Sequence, residues 1–432
     1  MVQVITKANF WLGVLLGVFV VARSVAAEPV GNPAIEAQFK QGMQALKDDE
    51  LKSAIQAFSN ILTTDPELNR AKLELALAYY RSLRYENAQK LAQEVLDDPL
   101  TPPEVRVTVL AFLAQVKRDS ARYGQKHEYT PFITGGIMHD SNINVGPTNA
   151  NIRIGDTDRP LTPSSLKQVS NAYVINVGLN HLYQSGRRVE LGQRTGMLVW
   201  QSGVNLYGRK YYGHGDFDIG VASVNTGPAV LMLRHWRASL QFRSDYLTLG
   251  DHALGWFNSL NPSMTWQYNN AELTWDAIYT HRSYDKAVDS PREGEYLATG
   301  LDFGRYFNNR RVAATVGSRL IKFIADSDEF GYQGVQFSAG ISTDTYKNGS
   351  AYARGRVSYY DYDGKDSTFL KTREEKEYVT TLGLSHEFNE PGDLFKGWVA
   401  NLFWERTEND SNIDELYSYK RYQGMLSLSR QF

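Results

Sequence analysis

From Phe132 to the last residue, apolar side chains recur at every second position, over segments of ten residues or more. A period of two sends alternate side chains to opposite faces of a strand. Trp236, Ala238, Leu240 and Phe242 alternate with Arg237, Ser239, Gln241 and Arg243, and Leu273, Trp275, Ala277 and Tyr279 with Thr274, Asp276, Ile278 and Thr280. A soluble sandwich also alternates, so the punctuation decides. Turn signals recur at Ser185-Gly186, Thr226-Gly227-Pro228, Asn269-Asn270, Asn308-Asn309, Asn348-Gly349 and Pro391-Gly392. Taken at residues 186, 227, 270, 309, 348 and 391, they are 41, 43, 39, 39 and 43 residues apart. Each interval holds two long strands and one longer, more polar loop. Six short turns join twelve strands, and a first and a last strand make fourteen. Short turns at one end, long loops at the other and an even strand number describe an outer-membrane barrel. Strands this long also exceed the five or six residues usual in soluble sheets. In lipid every backbone polar group needs an internal partner, so such a sheet has to close on itself.

Aromatic placement agrees. Of 26 Tyr, 21 follow residue 130, and seven of eight Trp lie between residues 200 and 404, as an interfacial girdle requires. The polar face sends Arg194, Arg237, Arg243, Arg354 and Arg356 into the lumen, alongside Glu190, Asp276, Asp302, Arg319 and Glu405. Both signs are mixed, which reads as a wet interior and not as a single-sign ion filter; the plainer alternative is that these charges pair and hold the lumen in shape. The chain ends on an alternating strand with a terminal aromatic, Phe432, which resembles the signal read by the bacterial barrel assembly machinery.

The N-terminal part differs. Lys7, the apolar run 11–22 and the small residues Val25-Ala26-Ala27 predict a secretory signal peptide over residues 1–27. Its removal leaves 44 basic against 48 acidic side chains, a net charge of −4. Residues 28–126 read as helices, with apolar positions three or four apart, such as Phe39, Met43 and Leu46. A 34-residue period aligns Gly42 with Ala76, Ala45 with Tyr79, Ala54 with Ala88, Phe58 with Ala92 and Ile61 with Val95. Pro66 and Pro99 close the two units. The pattern is tetratricopeptide-like, although Gln38 and Gln41 stand where that repeat has Trp and Leu; a plain helical bundle is the alternative. The expected fold is therefore α-helical tetratricopeptide-like repeats followed by a 14-stranded antiparallel transmembrane β-barrel over residues 127–432. The helical domain is expected in the periplasm and the barrel in the outer membrane.

Several function classes drop out. Near-neutral charge removes the electrostatic case for nucleic acid. The absence of cysteine excludes disulfides, thiolate chemistry and cysteine zinc sites. The eight His are scattered without metal-ligand spacing, and no Gly-x-Ser-x-Gly elbow or phosphate-binding glycine loop occurs. The expectation is a non-enzyme without cofactor or metal. Asp326-Ser327-Asp328-Glu329 and Asp361-Tyr362-Asp363-Gly364 are acidic loops that suit a weakly held calcium ion or plain solvation.

The junction carries the most information. Pro131 removes a ladder donor and Gly135-Gly136 weaken strand pairing, so the first strand and the strand ending at Phe432 are a candidate loose seam; a bulge or close-packing site is the alternative. Exported helical repeats followed by a barrel that opens Gly-Gly-x-x-x-Asp140-Ser141-Asn142-Ile143-Asn144 resemble the surface lipoprotein assembly modulator (Slam) family. The resemblance covers essentially the whole mature chain, with a helical part shorter than in the best-known members. It implies a translocator that moves a specific client, either a surface lipoprotein or a secreted haem-, iron- or host-factor-binding protein, from the periplasm to the surface or medium. Partners implied are that client, periplasmic chaperones, the assembly machinery and outer-membrane lipid. On that reading the inner helix faces offer Lys47, Arg70, Leu73, Leu77, Tyr80 and Arg81 to the client. The competing function is a passive or polysaccharide-export channel with the repeats as scaffold.

Overall fold

A computed structural model describes residues 32–123, 125–154, 157–232 and 235–432, so the signal peptide expected over residues 1–27 lies outside the described residues. The chain divides into two units, one holding the helices together with residues 188–196, the other residues 126–187 and 197–432.

The helices are α1 Pro33–Lys47, α2 Leu51–Thr64, α3 Asn69–Arg81, α4 Tyr85–Asp97 and α5 Pro103–Tyr123. Asn32 caps α1 by accepting the Ala34 N–H at 3.0 Å, ahead of Pro33 in the first turn. Two hairpins, α1–α2 and α3–α4, repeat each other in detail. Asp49 and Leu83, 34 residues apart, both take left-handed backbone, at φ 61° and 62°. The next amide closes each turn in the same way, Glu50 N–H on Ala45 C=O and Arg84 N–H on Tyr79 C=O, both at 2.8 Å. Three of the five pairs that align at 34 residues are fully buried in both hairpins: Ala54 and Ala88, Phe58 and Ala92, Ile61 and Val95. Gly42 is required where it stands, because a Cβ there would lie 2.7 Å from the Phe58 ring.

The second unit begins with β1 His127–Asp140, then β2 Asn151–Ile154, β3 Thr157–Pro160, β4 Ser170–Leu191, β5 Arg194–Tyr211, β6 Ile219–Met232, β7 Trp236–Leu249 and β8 His252–Tyr268. It continues with β9 Ala271–Tyr284, β10 Gly294–Phe307, β11 Val312–Ala325, β12 Tyr332–Tyr346, β13 Gly349–Lys365, β14 Thr372–Glu387, β15 Trp398–Ser411 and β16 Tyr419–Gln431. Strands β4 to β16 are bonded in sequence order, and β1 bonds both β4 and β16, which closes an antiparallel barrel of fourteen strands. Strands β2 and β3 form a separate small sheet within the first long loop.

Strand alternation sorts the side chains as the sequence pattern requires. Val204, Leu206, Val224, Leu240, Leu320 and Leu426 are exposed on the outer wall, with Trp200, Trp256, Trp275 and Trp404. An apolar exposed band with aromatics is what hydrocarbon demands of a barrel exterior. No described helix is long and apolar enough to cross a membrane.

Four expected turns fall where the chain reverses, between β8 and β9, β10 and β11, β12 and β13, and β14 and β15. Two do not. Ser185-Gly186 lies inside β4, which runs on to Leu191 before the turn at Gly192. Thr226-Gly227-Pro228 lies inside β6, where the ladder to β7 skips from Thr226↔Phe242 to Ala229↔Ser239. A Cβ on Gly227 would meet the Leu240 carbonyl at 1.9 Å, so this glycine permits close backbone approach and Pro228 sits in the ladder gap. Glycine and proline mark bends and breaks within strands as well as reversals. The strand count survives because each misplaced turn still belongs to the right hairpin.

Candidate functional site

The barrel closes where β1 meets β16. Their pairing runs from Phe132↔Gln431 to Asp140↔Gln423, nine pairs, against fourteen between β1 and β4. The register is continuous, so the expected seam contains no bulge. Gly135 faces open space, whereas a Cβ on Gly136 would lie 2.7 Å from the Leu426 carbonyl and 2.8 Å from Ser427 Cβ. Gly136 therefore serves close packing of the seam. Phe132 lies over its cross-strand partner Gly178, with its ring 2.5 Å from where a Cβ would stand; a ring folded over glycine in this way rescues a weak pair. At the last residue, the Phe432 N–H donates to the Pro131 carbonyl at 3.0 Å.

The loop end of the seam is locked by one carboxylate. Asp140 is fully buried and accepts from Arg421 Nε at 2.9 Å, from Arg421 Nη2, from the Tyr211 hydroxyl at 2.8 Å and from Gln423 Nε2 at 2.9 Å. The Asn142 N–H adds a fifth donor at 3.0 Å. One residue of β1 is thereby tied to β16 and to β5. A buried carboxylate held by several donors is stable only while the set is complete.

The segment after Asp140 continues the seam without a ladder. Ser141 N–H donates to Tyr422 C=O at 2.9 Å, and Tyr422 N–H to Ser141 Oγ at 2.8 Å. Asn142 is buried; its Nδ2 donates to Gly146 C=O at 2.9 Å and to Lys420 C=O at 3.4 Å, while its Oδ1 accepts the Gly146 N–H at 2.8 Å. Asn144 Nδ2 donates to Leu166 C=O at 2.8 Å and its Oδ1 accepts the Gln168 N–H at 3.0 Å, folding the loop back on itself. Ile143 packs with Met138, Ala172, Val174 and Tyr211. The family-like motif Asp140, Ser141, Asn142 and Asn144 is thus a strap at the loop end of the barrel seam.

The lumen charges expected from sequence are mostly paired. Arg237 meets Glu272 at 3.0 Å, Arg243 meets Asp245 at 2.8 Å and Arg356 meets Glu377 at 2.8 Å. Arg354 lies over the Tyr352 ring at 5.0 Å. Arg194 is a correction: it begins β5 beside the Gly192 turn, in residues 188–196 of the helical unit, and not in the lumen. Glu190 is in that segment too, paired with Lys52 at 2.9 Å and Arg84 at 3.3 Å. Both displacements follow from the extra length of β4.

The six helical residues offered to a client do not share one open face. Lys47 is exposed at the end of α1. Arg70 stacks on Phe39 at 3.9 Å, and Leu73 and Leu77 pack against core clusters. Tyr80 is buried and its hydroxyl donates to Asp119 at 2.6 Å. Arg81 ties the hairpins together through Leu46 C=O at 2.6 Å and through Asp49. The face taken from repeat register is largely a packing face, because helix pairs bury the small and large apolar positions of both partners. Sequence reasoning also missed Tyr211, Arg421 and Gln423. Their inward phase on β5 and β16 was legible, but no local pattern names a partner that far along the chain.

A closed fourteen-strand antiparallel barrel with an apolar, aromatic-bearing outer wall defines an outer-membrane β-barrel protein, here carrying an N-terminal helical domain. Within that class the chain is similar to the Hemophilin secretion modulator of Acinetobacter baumannii, with 21% identity over 424 residues, covering 93% of this chain and 80% of that protein. This similarity agrees with the Slam-type resemblance drawn from the Asp140–Asn144 segment. No protein-family model matches the chain. Solved structures similar in fold include the outer membrane channel DcaP of Acinetobacter baumannii, at TM-score 0.39 and 10% identity, covering 71% of this chain and 97% of that one. Another is an anion-selective porin from Comamonas acidovorans, at TM-score 0.39 and 8% identity, covering 71% and 99%.

Proposed function

We propose that this protein is an outer-membrane translocator that delivers a specific exported client from the periplasm to the cell surface or medium. The observation that carries the proposal is the likeness to a secretion modulator across 93% of the chain, through helices and barrel alike. The client on this reading is a surface lipoprotein or a secreted haem-, iron- or host-factor-binding protein. The helical domain, read as tetratricopeptide-like, faces the periplasm and docks the client or a chaperone that keeps it unfolded. The barrel conducts the client as an extended chain, and the Asp140 lock keeps the seam shut meanwhile. The periplasm supplies no nucleotide, so on this reading the drive comes from client folding outside or from periplasmic chaperones that hold the client unfolded.

The test is surface exposure of a genetically adjacent small exported protein on intact cells, with and without this chain. Protease accessibility is the readout, and heat-modifiable gel mobility checks barrel assembly. Exposure that depends on this chain supports translocation. Exposure indifferent to a properly assembled barrel rejects that pair and favours the passive or polysaccharide-export channel.

A further inference from the structure

The lumen wall is not uniform. On the β9–β14 side the inward positions carry ion pairs, with Arg319 Nη2 on the Asp276 carboxylate at 2.6 and 2.7 Å and Arg356 on Glu377 at 2.8 Å. From β4 to β8 the middle of the wall carries amides instead. Asn180, Gln201, Asn225, Gln241 and Asn261 stand one on each of five consecutive strands. Their phase is inward, since Val204, Val224, Leu240, Phe242 and Leu260 occupy the opposite, exposed phase.

These amides adjoin one another. Asn225 Oδ1 and Asn180 Oδ1 stand 2.7 and 3.2 Å from the place a Gly203 Cβ would take, so the glycine on β5 leaves room for the amides of β4 and β6 to approach over it. Gln241 Nε2 donates to Gln201 Oε1 at 3.4 Å, from β7 to β5, and Gln241 and Asn261 are direct cross-strand partners. The belt is bounded along β7 by charge: Arg237 with Glu272 toward the short-turn end and Arg243 with Asp245 toward the loop end. Oε1 of Gln241 and Oδ1 of Asn261, with Oδ1 of Asn176 and Asn205 on the same wall, are buried without a hydrogen-bond partner. Four unpaired amide acceptors on one stretch of wall need an explanation.

An amide side chain donates and accepts at once. It matches the alternating N–H and C=O of an extended peptide whatever the side chains are. Neutral hydrogen bonds also hold weakly enough to release, whereas a charged wall traps segments of opposite sign. The inward residues of β5 to β8 at this level, Gln201, Gly203, Asn225, Gly227, Gln241 and Asn261, include no aromatic ring on which a sugar could stack, and at the β4 edge the Phe132 ring is laid over Gly178. We propose that this belt holds an extended polypeptide segment through its backbone during passage. The inference rests on the translocation reading and names the substrate surface within it.

The test uses the full chain in lipid nanodiscs. The probe is a synthetic, neutral, unstructured Gly/Ser/Thr peptide of about 30 residues carrying benzophenone, long enough to span a barrel when extended. Adducts are expected on fragments from β4 to β8. The combined variant Asn225→Leu, Gln241→Leu and Asn261→Leu should cut adduct yield at least about fivefold, in line with the loss of one or more hydrogen bonds. Gln241→Met alone, which keeps the volume, should cut it about two- to fivefold if the triple variant fails to assemble. Excess maltoheptaose should not compete. Adducts on the β9–β15 wall, no adducts on a barrel with normal heat-modifiable mobility, unchanged yield in the variants, or competition by the sugar would each overturn the proposal. The exposure assay separates the two claims. Lost peptide binding with intact chain-dependent exposure rejects the belt alone, and peptide binding without such exposure rejects translocation of that neighbour.

Discussion

Asp140 and Arg421 lie 281 residues apart in the chain and form the ion pair that locks the barrel seam, with Nε 2.9 Å from the carboxylate. Asp140 is wholly buried, and the Arg421 side chain is 18% exposed. The seam therefore ends in a charge that water cannot reach, where five donors converge on one side chain.

Replacing that charge should loosen the seam specifically. Asp140→Asn leaves Arg421 without its counter-charge, which for a buried pair costs about 3–5 kcal/mol. Tyr211→Phe removes one hydrogen bond and should cost about 1 kcal/mol. Hydrogen exchange of the β1 and β16 amides, read beside the midpoint of denaturant unfolding, should rank Asp140→Asn well above Tyr211→Phe. Equal protection of β1 in all three proteins would show that the lock does not hold the seam.

The two seam glycines should behave differently. Gly136→Ala puts a methyl 2.7 Å from the Leu426 carbonyl, a backbone atom that moves only with its strand. Overpacking of this kind costs about 1–3 kcal/mol. Gly135→Ala meets nothing within 4 Å and should be neutral or slightly stabilising. Unfolding of the two barrels, followed by heat-modifiable gel mobility, measures the contrast; a matching loss in both would contradict the packing described.

In the helical unit, Arg81 should matter for stability and Lys47 should not. Arg81→Ala removes one donor from the Leu46 carbonyl and a charge-assisted hydrogen bond from Asp49, and about 1–3 kcal/mol should be lost from the helical transition. Lys47→Ala, on an exposed position, should change it by less than about 0.5 kcal/mol. Urea titration followed by circular dichroism at the helical band distinguishes them.

Acid should weaken the α3–α5 region through Asp98. The Leu100 N–H at 2.9 Å, then the Asn69 side chain, hold this carboxyl below the usual carboxylate range. Its stabilising contribution is therefore complete above the unfolded value of about 4 and disappears as pH falls through the lower folded value. Asp98→Asn lacks that dependence. The gap in urea midpoint between the native chain and Asp98→Asn should narrow steadily from about pH 5 to about pH 2. A constant gap would remove Asp98 as a source of the acid sensitivity.

The turns show how far local chemistry reaches. Asn269-Asn270 and Asn308-Asn309 reverse the chain where the sequence places them, and Asn308 and Asn309 take the positive φ that asparagine tolerates. Gly227-Pro228 carries the same punctuation and yet stays in β6, because a neighbouring carbonyl needs the room a side chain would fill. That requirement comes from β7 and cannot be read from β6.

Alternation at a period of two, the spacing of short turns and an aromatic-rich outer phase were enough to determine a closed fourteen-strand barrel, since a membrane-exposed sheet has no stable open form. The 34-residue period likewise determined two equivalent helix hairpins, as their matching left-handed turns at Asp49 and Leu83 record. Closure decided the rest. Which side chains reach Asp140, which lumen arginines find acids and which amides stand together depend on strands meeting in a particular register. Register sums contributions from every ladder around the barrel, and no segment of the chain carries that sum by itself.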